Sequence, residues 1–64
     1  MDINTKKLEI LAIKNGFNYK MLADKANVSR QTLSTIKGRK SCAIETAIKL
    51  AAALNVDITE LLED

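Results

Sequence analysis

The sequence predicts an all-α fold, and three observations carry the prediction. The 64 residues hold no proline, only two glycines and many Ala, Leu, Ile and Lys residues, a composition of helix formers. Apolar residues recur at three- and four-residue spacing rather than alternating. Residues able to cap a helix stand ahead of each apolar run. With one Tyr, one Phe and no Trp, the core is expected to be aliphatic. A chain of this length makes one domain. It buries only ~60% of its unfolded surface, so stability should be marginal and set by helix packing.

Met1 to Asn4 carries no periodic signal and is expected to fray. Asn4 or Thr5 can cap a first helix running to about Asn15, with Leu8, Leu11 and either Ala12 or Ile13 facing the core and Ile10 widening that face. Gly16 is placed to stop it in the left-handed conformation. Phe17 precedes a second capping residue, Asn18, and is expected to staple against the next helix.

The stretch Tyr19 to Gly38, YKMLADKANVSRQTLSTIKG, reads as two short helices joined by a tight turn. Leu22, Ala23 and Ala26 make one apolar stripe, and Leu33 and Ile36 a second. Ala23 is small where two helices must approach closely. Asn27 can take the left-handed conformation that ends the second helix. Val28 plugs the turn, and Ser29 can cap the third helix, about residues 30–37. Gly38 is expected to end it. The outward side of that helix then shows Arg30, Gln31, Thr32, Ser34, Thr35 and Lys37, with no carboxylate.

Arg39-Lys40-Ser41 reads as an exposed basic loop, with Ser41 capping a fourth helix whose first position is Cys42. Ile44, Ala47, Ile48, Ala51 and Leu54 recur at helical spacing, and Leu50 and Ala52 broaden the stripe, so this helix should be largely buried. Asn55 takes the terminating position. Asp57 and Glu60 have capping-box spacing at the start of a fifth helix closed by Leu61 and Leu62.

Charge is distributed unevenly along the chain. The net charge is +2, yet residues 14–40 hold seven cations and one anion, net +6, whereas residues 41–64 sum to −4. The basic segment coincides with the helix pair and favours a polyanion. Histidine is absent and Cys42 is the single cysteine. Ser-His and Cys-His nucleophiles, a zinc site and an internal disulfide are therefore excluded. No glycine loop cradles phosphate. No enzyme chemistry, cofactor or small-molecule ligand is expected. At a helix start the Cys42 thiol could be reactive; the plainer reading is a small, half-buried filler. No ~20-residue apolar span or secretory leader is present, so a reducing cytoplasmic setting is the default.

Leu22-Ala23, Asn27-Val28-Ser29, Leu33 and Ile36 together resemble the helix-turn-helix of the phage Cro/repressor (XRE) family, and Ile44 to Glu63 is similar to that family's last two helices. Three positions depart from the pattern. Asn27 replaces Gly, Tyr19 replaces a common phosphate-binding Gln, and the loop after Ile36 is one residue short. The resemblance implies a five-helix, lambda-repressor-like bundle with the helix-turn-helix at helices two and three. It implies a transcriptional regulator, in particular a repressor of phage or mobile-element type, whose third helix enters the ~12 Å major groove of double-stranded DNA. By motif position Ser29, Arg30, Gln31, Ser34 and Thr35 read bases. Asn18, Tyr19, Lys20, Thr32, Lys37, Arg39 and Lys40 contact phosphates. Tyr19 either donates its hydroxyl to a phosphate or covers the core edge with its ring. Dimers on a two-fold operator are the usual family arrangement, with the loop before helix four and the last helix, including Val56, Ile58 and Leu62, as dimer surfaces. The alternative is an antitoxin or other protein-interaction module on the same fold.

Overall fold

The computed structural model describes residues 1–62, which form α1 (Thr5–Lys14), α2 (Tyr19–Ala26), α3 (Arg30–Arg39) and α4 (Ile44–Leu54), followed by a 3₁₀ turn, Ile58–Leu61. No strand forms among these residues. Four helices, not five, make the body; Glu63, in the expected fifth helix, lies outside the described residues. Asp57 caps the 3₁₀ turn, its carboxylate accepting from the Thr59 backbone N–H and hydroxyl, both at 3.0 Å. These bonds, the backbone one foremost, hold the Asp57 carboxyl below its ordinary pKa. Glu60 completes no reciprocal box; its N–H donates to the Asp57 carbonyl at 2.9 Å. The turn stops because Leu62 is extended and pairs with Ile3.

That pairing corrects the expectation of a frayed N-terminus. The Ile3 N–H donates to the Lys40 carbonyl (2.9 Å), the Asn4 N–H to Leu61 (2.8 Å) and the Cys42 N–H to Met1 (3.0 Å). Asp2 pairs with Ser41 in a single antiparallel bridge. The Ile3 side chain is fully buried. The first residues thus tie the α3–α4 loop to the C-terminal turn, a long-range arrangement that carries no local pattern.

The core is aliphatic: among the described residues every large, fully buried side chain is Leu or Ile, and no polar or charged residue is buried. Helix α2 packs against α3 and α4, and the 3₁₀ turn closes on α1 and α4. From α1, Leu8 and Ala12 enter the core with Leu11 at its edge, while Ile10 and Ile13 face solvent. From α4, Ala47, Leu50, Ala51 and Leu54 are buried, but Ile44 and Ile48 are exposed. Apolar residues cover more than one arc of α4, and periodicity alone does not say which arc meets the neighbours.

Asparagine manages the helix ends. Asn4 and Asn18 accept from the N–H groups of Lys7 and Met21, at 3.0 and 2.8 Å. Asn27 and Asn55 both take the left-handed conformation (φ 58°) to end α2 and α4. Asn15 ends α1 ahead of Gly16 (φ 74°), and its amide donates to the carbonyls of Leu11 and Leu54, holding the ends of α1 and α4 together. Phe17 packs at the core edge, as expected of a staple.

Two terminus assignments move. Helix α3 runs through Gly38, and Lys40 (φ 59°) takes the left-handed position instead. The Lys40 N–H closes on the Ile36 carbonyl (2.7 Å) while its own carbonyl receives Ile3. Two backbone bonds thus offset the ~1–2 kcal/mol cost of a left-handed residue with a side chain. Helix α4 starts at Ile44 after Ala43, with no side-chain cap. Ser41 instead stands opposite Asp2 in the bridge that the Ile3–Lys40 and Cys42–Met1 bonds close, and Cys42 lies before the helix.

Two substitutions check these assignments by thermal or denaturant unfolding. Ile3→Ala is expected to destabilise the protein by about 2–4 kcal/mol, as for a buried aliphatic side chain; a frayed N-terminus would show almost no change. Gly38→Ala, where an added Cβ meets nothing within 4 Å, should stabilise by about 0.5–1 kcal/mol if the position is helical.

Candidate nucleic-acid interface

Helix α3 divides cleanly into two sides. Leu33 and Ile36 are buried, and every other residue from Arg30 to Arg39 is exposed. At about 100° per residue, Gln31, Ser34, Thr35 and Gly38 fall opposite the buried pair. Arg30 and Lys37 flank this strip on the side of α2; Thr32 and Arg39 flank it on the other. The missing side chain of Gly38 leaves the outermost line of the helix low near its C-terminal end.

The α2 flank is built around Tyr19. Its ring, with Arg30, Leu33, Ser34 and Lys37, lines a depression of about 200 Å³. The Lys37 ammonium sits 4.2 Å from the ring centroid, a cation–π contact. The Tyr19 hydroxyl is buried and has no hydrogen-bond partner among the described residues. Burial pushes its pKa above the ordinary value, and the Glu9 carboxylate adds to that shift. The hydroxyl is thus turned away from solvent, and the ring covers the core edge.

Asn18 and Lys20 are exposed at the start of α2. The Asn18 side chain is engaged in its cap, but other first-turn N–H groups of a helix lack intrahelical partners and suit an anion. On the opposite flank, Thr32, Thr35 and Arg39 share a second depression with Ser41, Cys42 and Thr46 in the loop and the start of α4. Lys40 is exposed on that loop. Burial, the leading influence, pushes the Cys42 thiol above its ordinary pKa, which favours the inert filler over a reactive thiolate.

Hydroxyl bonds limit what two expected base readers can offer. The Ser29 hydroxyl accepts from the Thr32 N–H at 3.0 Å and lies 2.8 Å from the Thr32 hydroxyl, so it is committed to starting α3. The Thr35 hydroxyl donates to the Gln31 carbonyl at 2.9 Å. Its proton is thus committed to the helix backbone, while the side chains of Arg30, Gln31 and Ser34 remain exposed. The Lys37–Tyr19 contact and the tie between the first residues and the loop had no sequence signal, since both join segments far apart in the chain.

Residues 7–64 are matched by a family profile described as the Cro/C1-type HTH DNA-binding domain. The chain belongs to that family. No curated protein and no solved structure matches it. Two of the three departures of this sequence have a physical account: Asn27 reaches the left-handed geometry otherwise left to glycine, and Tyr19 places a ring under Lys37. No helix among the described residues is long and apolar enough to cross a membrane.

Ser29 and Arg30 should separate structure from recognition. Ser29→Ala is expected to lower stability by about 1 kcal/mol through loss of the cap. Arg30→Ala, at an exposed position, should stay within about 0.5 kcal/mol. Equal destabilisation in denaturant titrations would contradict the assignment of Arg30 to an outward, non-structural face.

Proposed function

We propose that this Cro/C1-type domain is a sequence-specific regulator of transcription, a repressor of phage or mobile-element type, that reads the major groove with α3. The supporting observation is the outward face of α3: polar, free of carboxylates, flanked by cations, and held by an inward pair of aliphatic side chains. Its partner is double-stranded DNA, in the cytoplasm, at an operator of two-fold symmetry bound by two copies. An antitoxin or protein-interaction role is the alternative, and the exposed Ile10 and Ile13 of α1 are the feature that favours a protein partner.

Roles follow from side-chain chemistry. Arg30 can donate twice to guanine O6 and N7, and Gln31 can pair with adenine N6 and N7. Ser34 donates or accepts, and Thr35 presents its methyl to thymine. Ser29 sits at the groove edge, acting mainly through the cap. Around them the start of α2 (Asn18, Tyr19, Lys20) offers backbone N–H groups and a cation to one phosphate. Thr32, Lys37, Arg39 and Lys40 hold others. Such contacts fix register and supply affinity but carry little sequence information. Tyr19 contributes its backbone and its platform for Lys37 rather than its buried hydroxyl.

Binding to duplexes recovered by selection from random DNA tests this reading. Log affinity should fall linearly with log salt, by about 0.9 for each phosphate neutralised. Arg30→Ala should relax preference at one base pair, at a cost of about 1–3 kcal/mol. Arg39→Ala should weaken all sequences alike and lower the salt slope by about one. A flat salt dependence, or identical behaviour of the two variants, would contradict it.

A further inference from the structure

Two large aliphatic side chains on the outer side of α4 have no place in the core. Ile44 is 57% exposed and Ile48 53%. With the exposed Ala52 they recur at four-residue spacing and make a continuous apolar strip. Glu45 and Lys49, also exposed and four residues apart, run along one edge of that strip. We propose that this face pairs with the same face of a second copy of the chain, the two α4 helices lying antiparallel about a two-fold axis.

The charge order selects the occupant. In a two-fold contact, if residue i meets residue j, then j meets i. An axis crossing midway between Glu45 and Lys49 sets Glu45 against the partner's Lys49 and Lys49 against the partner's Glu45. The same axis lays Ile48 between the partner's Ile44 and Ile48, and Ile44 between the partner's Ile48 and Ala52. A strip with its anion at the N-terminal end and its cation one turn later is thus complementary to itself reversed. A parallel pairing would instead put the two charged edges on opposite sides of the contact, with no Glu45–Lys49 pairing across it. The exposed pair on α1, Ile10 and Ile13, shows no such self-complementary edge. Two helix faces of this length bury less than the ~1,200 Å² at the lower end of standard interfaces, so the dimer is weak on its own and is reinforced when DNA holds both copies.

The pairing supplies a partner surface for the two-fold operator and rests on that reading for its purpose. Association is measured without DNA, however, so each fails or stands by its own experiment. Sedimentation equilibrium of the purified chain should show a reversible monomer–dimer equilibrium as concentration approaches ~1 mM, the weak end of measurable affinities. Ile48→Asp should weaken association by about tenfold or more, as for a buried interface anchor. Glu45→Lys and Lys49→Glu should each weaken it. An equimolar mixture of those two variants, or the double variant carrying both changes, should recover it. All these positions are exposed, so helical circular dichroism should be unchanged. A strictly monomeric wild type overturns the proposal, as does wild-type association of the Ile48→Asp variant. Single reversals that the mixture and the double variant both fail to rescue overturn it equally.

Discussion

The burial of Leu33 and Ile36 is the contact on which the exposed surface depends. These two side chains are the whole apolar contribution of α3 to the core. Fully burying an aliphatic side chain stabilises by about 1.5–3 kcal/mol. The pair therefore carries an appreciable part of the 5–15 kcal/mol typical of a small domain's stability, roughly stated. Because two positions suffice to anchor the helix, the remaining positions are released for polar groups. The helix can then stand out from the body as a rigid edge. Leu22, Ala23 and Ala26 of α2 form the facing part of the core, and the small alanines allow the close approach that a tight turn requires.

The turn, the caps and the loop all serve to keep that edge in place. Asn27 reverses the chain, Val28 returns its N–H to the Ala23 carbonyl at 3.0 Å, and Ser29 starts α3. At the far end Lys40 ends the helix and is held by Ile3. The N-terminal residues thus act on the basic loop although they lie far from it in sequence. The Lys37–Tyr19 contact adds a brace between α2 and α3 on the flank where cations gather.

Much of this was legible in the sequence because the determining interactions are local. A capping side chain and the N–H it satisfies lie three residues apart, so Asn4, Asn18 and Ser29 are readable. The left-handed tolerance of Asn27 and Asn55 is intrinsic to asparagine. The stripe on α2 and the pair on α3 stand out because polar residues surround them. Legibility fails where geometry depends on distant partners. Ile3 is buried only because the chain returns at Leu61 and Lys40. Gly38 looks like a stop, yet the stop falls at Lys40, where pairing with the N-terminus dictates it. On α4 most residues are apolar, and only the packed neighbours decide that Leu50 goes in while Ile48 stays out. The fifth helix shortens to a single turn because Leu62 leaves to pair with Ile3. At the site, the outward orientation of Arg30 and Gln31 was readable from spacing, whereas the inward turn of the Tyr19 hydroxyl was not.

Backbone amide chemical shifts, followed while an isotope-labelled chain is titrated with a selected duplex, test the central claim most directly. The largest changes are expected along α3 from Arg30 to Arg39, at the start of α2, and in the loop at Lys40. The exposed surface of α1 and the 3₁₀ turn should be nearly unaffected by contact with DNA. Changes centred on α1 or the 3₁₀ turn, with α3 unperturbed, would contradict the assignment of α3 as the reading element.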